Sequence, residues 1–393
     1  MKMLRHLLPL VLLTQSYAAS PITFEKGDRV VFVGGTFVER MARFGYLETS
    51  LTLALPDKEL TFRNLGWSAD TVKGESRGYD KPQTGYSNLL ANVRKANPTL
   101  LFLAYGAAES WEQKPASFAT EYQRLLDELK PLGARIVLAS PILQEDWGKP
   151  LPDPSQHNAD LRAYAAAIAE LAKKNALLYL DLLDLVKPDV PKAKRLTMNS
   201  LQLADSGHRR LAAVFLEKLG LSARKDLDTA KAQRIRDLIR EKNELHFHSW
   251  RPQNQTYIFS FRKREQGRHA ADIPKFAPYV EEKEKAVRAL LALPNDKVKP
   301  LPKPAASPWE PIKLSEKALK DANTLLVPDD LALNLFASEP AIKNPVQSAW
   351  DEEGRLWVAT AESYPHIAPG FIVNDKIIVL EDVDRDGVAD RRR

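Results

Sequence analysis

Residues 29–36 read Arg29-Val-Val-Phe-Val-Gly-Gly-Thr36, and this stretch decides the fold. Val30 to Val33 are β-branched or aromatic and follow one another without a polar break. A strand with one wet face alternates; a continuous apolar run belongs to a strand covered on both faces, as in a parallel sheet. The Gly34-Gly35 pair ends it. The pattern recurs at Leu60–Leu65 before Gly66, Thr99–Tyr105 before Gly106, Arg135–Ser140 before Pro141, and Leu177–Asp181. Helical periodicity fills the intervals, at 37–54, 84–96, 115–131, 157–174 and 206–219. Strands alternating with helices over residues 25–221 predict an α/β domain with five parallel strands.

In such a sheet, chemistry sits beyond the carboxyl ends of the strands. Those ends are Gly34-Gly35-Thr36, Gly66-Trp67-Ser68 and Gly106-Ala107-Ala108-Glu109, three glycine-bearing loops in succession. With Glu39-Arg40, Asn64-Leu65-Gly66-Trp67-Ser68 and Tyr105-Gly106-Ala107-Ala108-Glu109, they resemble the first three blocks of SGNH/GDSL-type esterases. That resemblance covers about half the chain. It implies a flavodoxin-like three-layer α/β/α fold and hydrolysis of an acyl ester, such as an acetylated polysaccharide. It also implies a serine nucleophile, oxyanion donors from a glycine N–H and an asparagine, and a late histidine base.

Carried over residue by residue, the roles fall on altered positions. The nucleophile position is Thr36, preceded by Gly35 where the family has aspartate. Gly66 matches the oxyanion glycine and Gly106 the glycine of the third block, but the asparagine position is Ala108. The last block, Thr197-Met-Asn-Ser-Leu-Gln-Leu203, places Gln202 at the base position, and an amide takes no proton near neutral pH. Asp205-Ser206-Gly207-His208 also spells Asp-x-x-His. It reads either as a helix start capped by Asp205 or Ser206, or as a displaced base, His208, serving Thr36. The expected outcome is a degenerate, non-hydrolytic domain that binds a glycan or a neighbouring module; the alternative is a weak esterase of Thr36 and His208. Asp181 and Asp184 read as a strand end and a helix cap, His157 as a capping or solvated residue. Ser140-Pro141 and Pro150–Pro154 read as a loop over one sheet end.

The rest of the 393-residue chain frames this domain. Lys2, Arg5, the apolar run Leu7–Leu13 and Ser16-Tyr17-Ala18 form a secretory signal over residues 1–18, implying a secreted or periplasmic protein. No later apolar run spans a bilayer. There is no cysteine, which excludes disulfides, thiolate metal sites and cysteine nucleophiles. The net charge of +6 is concentrated in residues 224–268, with 12 Lys/Arg against 6 Asp/Glu, so the whole chain carries no nucleic-acid footprint. Residues 222–293 form a helical and aromatic extension. A helix is expected over Ala230–Leu245, followed by a stretch from His246 that, if extended, puts His246 and His248 on one face. The extension reads as a packed arm, or as a groove for an anionic glycan. Residues 294–311 are a proline-rich linker.

Residues 312–393 hold three strand patterns, 347–351, 355–360 and 376–381, with Asp351-Glu-Glu-Gly354 as a hairpin turn. Phe336–Pro340, Asn344–Gln347, Trp350–Val358 and Glu381–Asp390 resemble the opening of a glucose/sorbosone dehydrogenase-like β-propeller. The resemblance implies an incomplete all-β propeller fragment, and a third reading of the chain as the front part of such a dehydrogenase. Asp382, Asp384, Asp386 and Asp390 are spaced like half of a calcium loop or like a solvated Asp-Gly turn. No other cofactor is expected.

Overall fold

The computed structural model describes residues 22–78, 82–187, 191–252, 254–258, 260–264, 268–300 and 307–393. The expected signal, 1–18, and residues 301–306 of the expected linker lie outside them. The chain divides into two compact units, residues 1–227 and 228–393. Among the described residues no helix is long and apolar enough to cross a membrane.

The first unit holds five parallel strands: β1 (Arg29–Gly34), β2 (Thr61–Gly66), β3 (Leu100–Ala104), β4 (Arg135–Ala139) and β5 (Leu178–Leu180), in the order β2-β1-β3-β4-β5. Val30, Val31, Val33, Leu100, Leu101 and Leu103 are fully buried, as the continuous apolar runs required. Among the described residues six α-helices flank the sheet: α1 (Thr36–Phe44), α2 (Tyr46–Ala54), α3 (Gly85–Ala96), α4 (Pro115–Leu129), α5 (Ser155–Lys174) and α6 (Asp205–Lys218). Phe32 stacks on Phe102 at 5.1 Å between ring centroids, and Phe215 of α6 closes on both.

The single helix expected over 37–54 is two. Gly45 takes φ +70°, a left-handed conformation that suits glycine, and its N–H caps Met41 O at 3.0 Å. The start of α6 also differs from expectation. Ala204 is its N-cap, with no side-chain cap; Asp205 lies inside the first turn, where Oδ2 accepts the Tyr46 hydroxyl at 2.8 Å.

In the second unit α7 (Ala230–Trp250) packs on a later helix, Ala277–Ala292, burying Ile235 and Ile239 against Val280 and Val287. The helix runs through His246 and His248 because no breaker precedes Pro252. At 3.6 residues per turn, those histidines do not share a face. His248 is buried against Phe276, ring centroids 5.7 Å apart.

The tail forms a five-stranded antiparallel sheet, ordered β6 (Glu310–Pro311), β10 (Arg391–Arg392), β9 (Ile377–Glu381), β8 (Leu356–Thr360) and β7 (Pro345–Trp350). Its three long strands match the three strand patterns, with the turn at Gly354, φ +79°. Val358, Ile378, Leu380 and Ala389 are its core. The expected propeller segment is one small antiparallel sheet.

Candidate functional site

A cavity of about 480 Å³ opens at the carboxyl ends of β1 and β3. There the strand order reverses between neighbours, leaving the crevice in which open α/β sheets bind ligands. Gly35, Thr36, Ala108 and Gln202 all line it, so the fold does bring four of the altered positions together.

Thr36 is the first residue of α1, held there by the abrupt end of β1. Its Oγ1 accepts the Ala69 N–H at 3.0 Å, and among the described residues nothing accepts its proton. Beside it, a Cβ on Gly35 would stand 3.1 Å from the Asp70 carbonyl oxygen, tighter than ordinary contact. Any side chain at this position would press that carbonyl back by a few tenths of an ångström.

The oxyanion role carried to Gly66 does not fit the geometry. Gly66 does not line the cavity, and its N–H donates to Asn64 Oδ1 at 2.9 Å. The position is a contact point between β2 and α1: a Cβ there would lie 2.1 Å from Glu39 N. Neighbouring amides are also engaged, Trp67 N–H with Gly34 O, Ser68 N–H with the Glu39 carboxylate and Asp70 N–H with Trp67 O. Ala69 alone aims its N–H at the Thr36 hydroxyl, so the donor nearest the nucleophile position belongs to Ala69. Gly106, at φ +103°, likewise lies off the cavity wall and gives its N–H to Glu109 Oε2 at 2.9 Å.

His208 is not at the cavity. Its ring is buried in the first turn of α6 and lies flat on Phe44, centroids 4.2 Å apart at 19°. Nε2 has no hydrogen-bond partner. Burial, with the Arg40 guanidinium nearby, pushes its pKa down to about 4. Off the cavity lining and without a partner for Nε2, it is not placed to act as a base for Thr36. The base position itself holds Gln202, whose turn is stapled by Asn199 Oδ1 accepting the Gln202 N–H at 2.8 Å. From behind, the carboxylate of Glu145 accepts the N–H groups of Leu196 and Thr197 at 2.6 and 3.0 Å.

The cavity wall carries polar groups that sequence reasoning missed. Asp70 is buried, with Oδ2 bound to Arg77 Nε at 2.7 Å and to the Tyr105 hydroxyl at 3.1 Å; Oδ1 has no partner. Burial raises its pKa, against the pull of Arg77. Glu109 accepts Val72 N–H and Gly106 N–H, both at 2.9 Å, and burial still raises it to about 7.

Opposite these acids, His157 Nδ1 meets Gln144 Oε1 at 2.7 Å and Nε2 meets Ser110 Oγ at 2.9 Å. Gln144 Nε2 donates to Ser200 Oγ at 2.8 Å, which leaves its Oε1 as the acceptor. His157 is therefore protonated on Nδ1, and the single Ser110 hydroxyl proton faces two acceptors, His157 Nε2 and Ala107 O at 2.8 Å. Hydroxyl, imidazole and amide stand in line like a hydrolytic triad. Ser110, however, is wholly buried and off the cavity surface, so this chain braces the wall. His157 is thus a buried wall residue, where the sequence suggested a cap or a solvated side chain. Its partners lie 47 and 13 positions away, and no local motif announced them. Ser140 and Pro141 do reach the cavity rim, as the loop reading expected.

In the tail, Asp382, Asp384 and Asp390 bring carboxylate oxygens within 4.8 Å of one another. Asp386 is not among them; its Oδ1 accepts Val388 N–H at 2.8 Å. Asp382 Oδ2 accepts Gly387 N–H at 2.9 Å and Asp390 Oδ2 accepts Val383 N–H at 2.6 Å, so these acids fold their own turn. Asp181 Oδ1 caps Leu183 N–H at 3.0 Å.

The GDSL-like lipase/acylhydrolase family matches residues 38–210. The match begins two residues after Thr36 and includes Ala108, Gln202 and His208. A domain of unknown function (DUF7133) matches residues 317–393. No curated protein matches the chain. Similar solved structures include a gut microbial diltiazem-metabolizing enzyme, at 17% identity and a TM-score of 0.40 over 50% of this chain and 48% of that one, about half of its length. A catalytic mutant of an acetylxylan esterase from Geobacillus stearothermophilus is 19% identical, with a TM-score of 0.40 over 51% of this chain and 97% of that one. Another acetyl xylan esterase is 18% identical, with a TM-score of 0.38 over 48% and 98%.

Proposed function

We propose that this chain is an exported protein whose α/β domain has the SGNH/GDSL fold but binds an acylated glycan without hydrolysing it. One observation carries the reading: Thr36 shares its cavity with an amide, Gln202, where a base is needed. Acyl transfer by a hydroxyl requires that base within hydrogen-bond reach and donors at the developing oxyanion. Here the Ala69 N–H is given to the Thr36 hydroxyl itself, and the Ala108 side chain supplies no donor. The cavity itself is intact, apolar over most of its wall, with a few convergent polar groups, which is the composition of a small-molecule site. Export rests on the pattern of residues 1–18, and the mature chain then starts near Ala19. The tail fits the reading of a partner module on the same exported chain.

The deciding experiment is a panel of acetyl esters, including O-acetylated oligosaccharides, assayed with the purified protein and with Thr36→Ala. The expected result is binding of the oligosaccharides with turnover no greater than that of Thr36→Ala. Turnover abolished by Thr36→Ala overturns the proposal and makes the chain an esterase.

A further inference from the structure

Trp111 is 61% exposed, yet it is held in one place. Its indole lies on the His157 ring, centroids 3.7 Å apart at 18°, and it lines the mouth of the cavity. The imidazole beneath is itself fixed on both sides, by Ser110 Oγ and by Gln144 Oε1. A chain of buried hydrogen bonds thus ends in an aromatic plate with its outer face in water. An aromatic at the mouth of a largely apolar cavity with a few convergent polar groups stands where ligands bind, and an indole held flat offers contact area at little entropic cost.

We infer that Trp111 is a stacking platform for a neutral pyranose ring at the cavity mouth, with the ring's acyl group directed inward. This rests on the glycan-binding reading and names the ligand class more narrowly. The C–H face of a pyranose matches the flat indole in size and polarity. The inner wall favours a neutral ligand: Asp70 and Glu109 are both carboxyls, and the one cation among them, Arg77, is already engaged with Asp70 and with Leu65 O at 2.8 Å. On the cavity lining the Gln202 amide remains to meet hydroxyl or ester groups. An anionic glycan, the ligand expected for the basic extension, is disfavoured in this cavity, because its charge would be desolvated beside two acids.

The test is calorimetric titration of the full chain with neutral O-acetylated oligosaccharides, the same oligosaccharides de-acetylated, and uronate-bearing ones. Trp111→Ala and Trp111→Phe are compared, with thermal unfolding as a fold control. Trp111→Ala is expected to weaken the neutral acetylated ligand about tenfold or more, the loss of one stacked aromatic contact, while Trp111→Phe recovers most of it. De-acetylated and uronate ligands are expected to bind more weakly still. In 5-fluorotryptophan-labelled wild type, the Trp111 resonance should move on titration, which covers the case of a misfolded alanine variant. Undiminished binding by folded Trp111→Ala, or an unmoved Trp111 resonance under saturation, overturns the platform and leaves the glycan reading standing. Absence of any binding by the folded wild type overturns both.

Discussion

His208 and Phe44 form a closed pair: the imidazole lies 4.2 Å from the phenyl ring in a buried slot, and Nε2 finds no partner. The slot accepts the neutral ring only, which places the folded-state pKa near 4 against an ordinary 6.5. The unfolded chain therefore binds a proton below pH 6.5 that the folded chain refuses. Stability is full above 6.5 and falls as the pH drops toward 4, by roughly 3 kcal/mol at most for this one group. His248, also pushed down to about 4 by burial, adds a like loss in the second unit. Denaturant unfolding between pH 7 and 4 should show the decline, and His208→Leu should remove its share for the first unit.

Glu109 works with the opposite sign. Its pKa is raised from 4.5 to about 7, so the folded chain holds a proton that the unfolded chain has released. Stability falls as the pH rises from 4.5 toward 7. Carboxyl-selective NMR should find one glutamate titrating near 7. A Glu109 titrating below 5 refutes the assignment.

The Asp70–Arg77 pair has both side chains fully buried. Removing one partner leaves a buried charge uncompensated, so Arg77→Met should cost about 3–5 kcal/mol in denaturant unfolding. Asp70→Asn, which keeps an acceptor for the Tyr105 hydroxyl, should also destabilise because Arg77 keeps its charge. A loss below about 1 kcal/mol for both variants, the value of an exposed pair, would show that water reaches this pair.

Gly66 distinguishes packing from chemistry. An alanine there meets Glu39 N at 2.1 Å, a backbone contact that cannot yield without moving α1 against β2. Gly66→Ala should therefore lower the yield of folded protein and the unfolding temperature. A folded Gly66→Ala with unchanged stability would contradict the close approach of α1 to β2.

Restoring the side chains that Ala108 and Gln202 lack tests the proposed absence of turnover. Gln202→His alone supplies an imidazole, and Ala108→Asn alone a donor, and neither should give measurable ester turnover. Together they should raise turnover above the singles by about 10² or more, the weight of one oxyanion donor, with Thr36 already in place. Turnover by wild type equal to that of the double variant would defeat the argument.

Most of the first unit was legible because burial on both faces writes strands as unbroken apolar runs. Val30–Val33 and Leu100–Leu103 announce themselves wherever they sit in a chain. Gly45 was harder: one left-handed residue divides α1 from α2 without disturbing the apolar period on either side. His246–Trp250 misled because aromatic density resembles a strand, while the packing of α7 on its neighbour kept the segment helical. Thr36, Ala108 and Gln202, picked out by motif order, line one cavity. The amide that faces the Thr36 hydroxyl is that of Ala69, three residues after Gly66, and only the main-chain hydrogen bonds reveal which amide of that loop turns toward Thr36. Ser110, Gln144 and His157 meet solely through the fold, so their alignment had no signature to read.

Strand β7 is exposed along its whole length, and Val346 and Trp350 stand in water at 61% and 59% exposure. Among the described residues it pairs with β8 alone. A row of unpaired backbone donors and acceptors beside apolar side chains is a template for another chain, restrained here mainly by Pro345. Colloidal behaviour is thus governed in the second unit, while the cavity belongs to the first: light scattering should rise with concentration, and Val346→Lys should suppress it without altering ligand affinity.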